Sequence, residues 1–245
     1  MFKKKTEKKE MAFGKIPAYC RYELFMERYR SGAEFIEKYS IRIKGKNRKV
    51  LDVGCGEGYM KYFFDESPDL EWHGVEQWDE RRELCKTLGY RVYNLDINTE
   101  SLPFESGTFD IVIASHVIEH LSDMTFALRE MDRILKPGGL ILIAVPTKLP
   151  PFPFLINLYF KFKNFRIGET QNAFSVWSIQ SRMKEILGAS KYVTIDIRGF
   201  RVFSARKRMN LENSRLFYKV STWFGRVCPA ITPEINLIMR KVRDE

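Results

Sequence analysis

Val50-Leu-Asp-Val-Gly-Cys-Gly-Glu-Gly58 joins a short apolar run to three glycines at alternate positions. The apolar run predicts a buried strand ending near Asp52, and the glycines predict a tight turn into a helix. Bare backbone amides at such a turn can lie against an extended ligand. The dinucleotide fingerprint is G-x-G-x-x-G and directs a helix start at a pyrophosphate, so the G-x-G-x-G spacing favours a ligand without phosphates. An ordinary strand-to-helix turn remains the alternative.

Short apolar runs alternate with helical patterns through residues 49–145, which predicts a Rossmann-like α/β fold. Helices are expected at Asp79–Leu88, with Asp79 as the N-cap and Gly89 at the end, and at Asp123–Lys136. Together with two edge strands predicted within residues 192–205, we expect a mostly parallel seven-stranded sheet with helices on both faces. The five predicted strands of this segment are Val50–Val53, Trp72–Val75, Arg91–Leu95, Phe109–Ala114 and Leu140–Val145.

Acidic side chains follow the second and third predicted strands. Glu76 lies eighteen residues beyond Gly58, close to the interval at which nucleotide-binding folds place an acid on ribose hydroxyls. Asp96 is placed to accept from an exocyclic amine, while Ile97 packs on a base. Each carboxylate alone could be a solvated strand end. Because open α/β sheets bind ligands at the carboxyl ends of their strands, the features together predict one site.

These motifs resemble the class I S-adenosylmethionine-dependent methyltransferases over roughly residues 49–145. The segment Phe109–Leu121 is similar to the broad small-molecule and lipid-modifying branch, of methyltransferase type 11. The resemblance implies S-adenosylmethionine as the cofactor. The segments that carry it are Val50–Gly58, Gly74–Glu76, Asp96-Ile97 with Leu102–Phe104, and Leu135–Ile143.

The same resemblance implies which residues bind the cofactor. Asp52 and the glycines would border the methionine part, Glu76 would hold the ribose, and Asp96 with Ile97 would hold the adenine. The complete predicted cofactor-binding set is Asp52, Gly54, Cys55, Gly56, Gly58, Glu76, Gln77, Asp96, Ile97 and Ser115.

The implied reaction is an in-line attack by an acceptor O, N or C on the sulfonium methyl. Alignment would supply most of the catalysis, and a base is needed only where the acceptor must lose a proton. His116, just past the fourth strand, is the candidate base, since histidine exchanges protons near neutral pH. A structural histidine bonded to backbone is the alternative.

The segment His116-Val-Ile-Glu-His120 spells H-x-x-E-H, a zinc-protease signature. Its place at a strand-to-helix junction argues against a protease. Certain relatives look to hold a divalent metal here with a Glu where this chain has His116, so His116, Glu119 and His120 form a possible metal site. A structural role of these three residues in helix packing is favoured, and no bound metal is predicted.

Residues outside the core are expected to build the acceptor side. Segment 149–165 is aromatic and uncharged up to Phe160, then basic at Lys161 and Lys163. It predicts an acceptor lid, or an interfacial segment making peripheral membrane contact, and either favours an apolar, small-molecule or lipid-linked acceptor.

The expected organisation is a disordered basic tail at 1–15 and one domain at 16–245, comprising a cofactor-binding core at 49–145, a lid insertion at 146–190, and edge strands with a basic C-terminal segment at 191–245. Within these, a helix is expected at Ile16–Tyr39 and around Ile179–Leu187, and an edge hairpin from Tyr192–Ile197 and Arg201–Ala205.

Charge and composition bear on partners and compartment. The chain of 245 residues carries a net charge of +10, with basic flanks around an acidic middle segment at 51–150. An RNA-directed methyltransferase using these flanks is a rival, although Ala114-Ser-His116 differs from the Asn/Asp-Pro-Pro-aromatic segment of nucleic-acid amino-methylating enzymes. A non-catalytic, cofactor-binding subunit is a second rival interpretation. Widely spaced cysteines, no secretory signal and no spanning stretch predict a cytoplasmic protein, with membrane association as the open alternative.

Overall fold

The computed structural model describes residues 23–40, 47–64, 70–163, 172–200 and 215–242. Its strands are β1 (Arg48–Val53), β2 (Leu70–Val75), β3 (Arg91–Tyr93), β4 (Phe109–Ser115), β5 (Leu135–Pro146), β6 (Tyr192–Gly199) and β7 (Glu234–Lys241). Its helices are α1 (Glu23–Ser40), α2 (Tyr59–Tyr62), α3 (Asp79–Thr87), α4 (Met124–Ile134), α5 (Phe152–Lys163), α6 (Val176–Leu187) and α7 (Arg215–Val227), with 3-10 turns at Ile118–His120 and Pro229–Ile231.

The strands form one seven-stranded sheet in the order β3-β2-β1-β4-β5-β7-β6. Strands β1 to β5 are parallel, and β7 is antiparallel to both β5 and β6. The predicted Rossmann-like sheet, mostly parallel with antiparallel strands at one edge, is confirmed.

Two apolar clusters cover the faces of this sheet. On β4, Val112 and Ala114 join one cluster, whereas Ile111 and Ile113 join the other. Helices α4 and α6 cover the first cluster and α1 covers the second. Because both faces are buried, the central strands are continuously apolar rather than alternating, which made them recognisable in the sequence.

The ends of two predicted helices differ from expectation. Trp78 is the N-cap of α3 and Asp79 is its first helical residue, paired with Arg82, so the predicted cap was wrong. At this helix start, the backbone amide of Trp78 donates to Oε1 of Glu76 at 3.0 Å. In α4 the Asp123 carboxylate does cap the helix, but the helix stops at Ile134 because the chain enters β5 at the next residue.

Strand β3 is shorter than the prediction of Arg91–Leu95. It pairs with β2 only from Arg91 to Tyr93, so Asp96 lies in a turn three residues beyond the strand. The Asp96 carboxylate accepts from both nitrogens of Asn98, at 2.9 and 3.1 Å, which holds this turn closed.

The C-terminal part of the chain departs most from expectation. Strand β6 is present, but its antiparallel partner is β7, which the sequence did not predict. The expected partner, Arg201–Ala205, lies outside the described residues, as do the 1–15 tail and the first part of the Ile16–Tyr39 helix. In the described part of the chain, no helix is long and apolar enough to cross a membrane.

Candidate active site

The glycine-rich loop after β1 adopts a backbone that requires glycine. Gly54, Gly56 and Gly58 all have positive φ. At Gly58 an added Cβ would lie 2.6 Å from Leu88 Cδ1, so both the backbone and the space exclude a side chain. The Cys55 amide donates to the Val75 carbonyl, at 3.1 Å, and thereby fixes the loop over the end of β2.

Glu76 clamps this loop to the start of α3. Its side chain is buried, with Oε2 accepting the Gly56 amide at 2.9 Å and Oε1 accepting the Trp78 amide at 3.0 Å. A carboxylate oxygen carries two lone pairs, so each oxygen can accept one further hydrogen bond. Glu76 therefore organises the loop and still has acceptors to offer a ligand.

Asp52 places a second buried carboxyl beside the loop. The Tyr90 hydroxyl donates to its Oδ2 at 3.2 Å. Burial raises the pKa of Asp52 to about 7, with the charge of Glu76 adding to the rise and the Tyr90 hydrogen bond opposing it. A cationic ligand at this position would favour the ionised carboxylate.

A cavity of about 210 Å³ opens at the carboxyl end of the sheet. The structure brings five predicted residues to its wall, together with side chains from α1, α2 and α3 that the sequence did not single out. Ser115 Oγ is buried and has no hydrogen-bond partner among the described residues, so it can serve a ligand there. The lining is Tyr29, Asp52, Gly54, Cys55, Gly56, Glu57, Tyr59, Met60, Arg81 and Ser115.

The other five predicted residues do not line this cavity; they are Gly58, Glu76, Gln77, Asp96 and Ile97. Gln77 is exposed, and its carbonyl accepts from Arg82. Ile97 is buried in an apolar cluster, and Asp96 is half-buried in its Asx turn. Gly58 lies beneath the loop against Leu88 rather than at the cavity wall.

Two thiols support the loop from below. Cys55 Sγ lies 3.4 Å from Cys85 Sγ, and the Cys85 thiol donates to the Gly56 carbonyl at 3.1 Å. The contact with Cys85 and burial raise the pKa of the Cys55 thiol well above its usual range, so it remains a neutral packing group. Cys85 and Tyr90 are the supporting residues that the sequence did not reveal. The one available signal was that Tyr90 follows the glycine ending α3.

His116 and His120 flank a buried carboxylate after β4. Glu119 Oε1 lies 3.2 Å from His116 Nδ1 and 3.8 Å from His120 Nε2. His116 has a φ of 57°, and its Nε2 is buried without a hydrogen-bond partner among the described residues. Across those residues, no group of three or more His, Cys, Asp or Glu side chains is arranged to hold a metal ion.

A larger cavity, of about 560 Å³, lies at the opposite end of the sheet. Two of its basic side chains are already paired, Arg133 with Glu130 and Lys241 with Asp132. Open α/β sheets bind ligands at the carboxyl ends of their parallel strands, so the smaller cavity at the glycine loop is the candidate site.

The strand order, the glycine loop and the buried acid after β2 define a class of protein. Residues 51–143 match the family model for a methyltransferase domain. Over these residues the chain is similar to a methyltransferase domain, and the resemblance to the class I S-adenosylmethionine-dependent methyltransferases that its motifs carry is confirmed. S-adenosylmethionine is the cofactor that this class implies.

Particular relatives extend this comparison. A demethylmenaquinone methyltransferase of Staphylococcus aureus is 34% identical over 125 residues, covering 48% of this chain and 52% of the relative. The chain thus spans about half the length of the curated relatives that it matches. Among solved structures, YcgJ of Bacillus subtilis superposes with a TM-score of 0.59 at 18% identity, covering 88% of this chain and 99% of that one. A methyltransferase of Archaeoglobus fulgidus superposes with a TM-score of 0.56 at 18% identity, covering 87% of this chain and 94% of that one. At these identities, the structural matches show the fold.

Proposed function

We propose that this chain transfers the methyl group of S-adenosylmethionine to an apolar or lipid-linked small molecule. The observation that carries the proposal is the cavity at the carboxyl end of the sheet, where Asp52, the glycine loop and Ser115 meet. A buried acid, a loop without side chains and an unpartnered hydroxyl suit a ligand that combines cationic groups with ribose hydroxyls.

Individual residues of the chain take separate parts in holding the cofactor. Asp52 favours the positive charge of the methionine part, and the Ser115 hydroxyl offers it a hydrogen bond. Glu76 accepts from the ribose hydroxyls with the lone pairs that the Gly56 and Trp78 amides leave over. Asp96 and Ile97 contact the adenine from the turn after β3, which lies outside the cavity wall.

The cofactor supplies a methyl group on a sulfonium, whose neutral leaving group needs no acid. The chain's own contribution is alignment of the acceptor and exclusion of water. Where the acceptor must lose a proton, His116 takes it at Nε2. Glu119, buried and 3.2 Å from His116 Nδ1, then orients the ring with Nδ1 protonated.

The acceptor class follows from the segment after β5. Helix α5 exposes Phe152, Phe154 and Leu155 to solvent. Its Asn157 side chain bonds both backbone groups of Ala173, at 2.9 Å each, and so ties this lid helix to the rest of the fold. An apolar lid suits an apolar acceptor. The demethylmenaquinone methyltransferase relative is named for a quinone acceptor of that kind.

Isothermal titration calorimetry with S-adenosylmethionine tests the cofactor assignment. We expect binding in the micromolar range, which is common for cofactors. Replacing Glu76→Ala should weaken binding by about 1–3 kcal/mol, since ribose hydrogen bonds and the Gly56 clamp are lost together. The measurement is the dissociation constant of each variant, with its folding checked by urea unfolding.

Glu80→Ala is the matched control, because Glu80 is an exposed acid in the first turn of α3 and does not line the cavity. Its affinity should equal that of the wild type. No binding heat for the wild-type chain would overturn the proposal. An unchanged affinity in Glu76→Ala would mean that the ribose of the cofactor does not bind at Glu76.

A further inference from the structure

Helix α7 presents an apolar stripe to solvent. Leu216, Val220, Trp223 and Val227 are 73%, 49%, 63% and 59% exposed. They follow one another at steps of four, three and four residues, which places all of them on one side of an α-helix. Isolated exposed apolar residues are ordinary, but a continuous stripe of this kind marks a surface that contacts another phase or molecule.

The opposite side of α7 is firmly packed on the sheet. Ser221 is fully buried. Gly225 lies directly on the backbone of Gly199 at the end of β6, so closely that no Cβ would fit between them. The stripe is therefore the outer face of a docked helix, and it points away from the core.

Charge indicates what covers the stripe. Lys219 and Arg226 are both exposed on α7, and the Arg215–Val227 sequence contains no acidic residue. Apolar and aromatic side chains flanked by cations, without acids, are the composition of helices that lie in the headgroup layer of anionic membranes.

The stripe also lies near the candidate site. Gly199 pairs with Ile235 at the end of the sheet where β7 begins, and Pro146 pairs with Glu234 there. The chain leaves β5 at this point and continues into α5, whose apolar residues are exposed as well. Both exposed helices thus extend from the carboxyl end of the sheet, where the glycine loop and its cavity lie.

We propose that α7 is a membrane-docking helix, whose Leu216–Val227 stripe lies in an anionic lipid surface and brings the active site to a lipid-linked acceptor. This rests on the proposed function for the acceptor class, but the docking surface itself is independent of catalysis. The occupant is a lipid bilayer, with the apolar stripe below the headgroups and Lys219 and Arg226 beside the phosphates.

Co-sedimentation of the full chain with vesicles tests the proposal. The wild-type chain should pellet with vesicles of phosphatidylcholine and phosphatidylglycerol, and much less with phosphatidylcholine alone. Val220→Glu should weaken binding to the anionic vesicles at least about tenfold, because a charge replaces a valine that the lipid buries.

Val193→Glu is the matched control. Val193 is an exposed valine of β6, 58% exposed, so the two variants change the same residue type and the same net charge on different surfaces. Val193→Glu should bind vesicles nearly as well as the wild type. Equal losses in both variants, or no binding by the wild type, would overturn the membrane assignment.

Two further measurements on the same samples separate the remaining outcomes. In sedimentation velocity without lipid, a dimer that Val220→Glu abolishes would overturn the proposal in favour of a second copy of this chain on the stripe. Cofactor calorimetry should give the same affinity for all three proteins. Retained cofactor affinity without vesicle binding would overturn the docking helix alone, whereas absent cofactor affinity in the wild type would overturn the proposed function.

Discussion

The raised pKa of Asp52 gives the chain a specific pH dependence. The folded state holds this carboxyl protonated up to about pH 7, whereas an unfolded chain releases the proton near 3.8. The free energy of unfolding should therefore fall as pH rises between these values, and Asp52→Asn should remove that loss. Urea unfolding should find Asp52→Asn more stable than the wild type at pH 8, by up to about 4 kcal/mol, with the difference shrinking towards pH 4.

The exposed Asp79→Asn is the comparison for this variant, and its stability difference should stay near zero throughout. Cofactor affinity should move the other way at pH 8, with Asp52→Asn binding more weakly because the buried negative charge is gone. A stability difference that is the same at pH 5 and pH 8 would contradict the assigned titration.

Residues of the candidate site were predictable where the local sequence sets their role. Asp52 and Gly54 follow from a strand that runs into a glycine turn, and both line the cavity. The clamp made by Glu76 on Gly56 and Trp78 was not predictable, because it joins backbone groups from different turns. Tyr90 was missed for the same reason, since its hydrogen bond to Asp52 joins the residue before β3 to β1, on the far side of β2.

Secondary-structure elements were predictable where they carry a strong pattern and are bounded by clear signals. Helix α4 has a continuous apolar face and an Asp123 cap, and it was placed within two residues at its C-terminal end. Strand β7 was missed because its residues are buried on both faces, including the polar Asn236, so no alternation marks it. The Asn236 amide donates to the Arg28 carbonyl at 2.9 Å, a pairing across most of the chain that no local pattern can indicate.

The contact between α7 and β6 yields a prediction at this scale. Alanine is ordinarily better than glycine inside a helix by about 1 kcal/mol. Gly225→Ala should nonetheless destabilise the fold by about 1–3 kcal/mol, since its Cβ would meet the Gly199 backbone and push the helix off the sheet. Urea unfolding midpoints measure this. Thr222→Ala in the same helix should stay within about 0.5 kcal/mol of the wild type; an equally stable or more stable Gly225→Ala would contradict the close packing.

The whole molecule should be stabilised by the cofactor that its site is proposed to hold. At a ligand concentration about 100 times the dissociation constant, selective binding to the folded state adds about 2.7 kcal/mol to the unfolding free energy. For a chain of this size that raises the melting temperature by roughly 5–10 °C. Thermal unfolding with S-adenosylhomocysteine should give this shift, and ATP should not, because the G-x-G-x-G loop favours a ligand without phosphates. A larger shift with ATP would contradict the site's specificity.

The position of β7 in the sheet has a consequence for biosynthesis. Although β7 follows β6 in the chain, it lies between β5 and β6 in space. In a nascent chain that has emerged only as far as β6, one edge of β5 is unpaired and β6 has no strand partner. Final folding must therefore wait until the ribosome has extruded residues through Lys241. During that interval the nascent chain is most open to aggregation and to chaperones that recognise exposed strands.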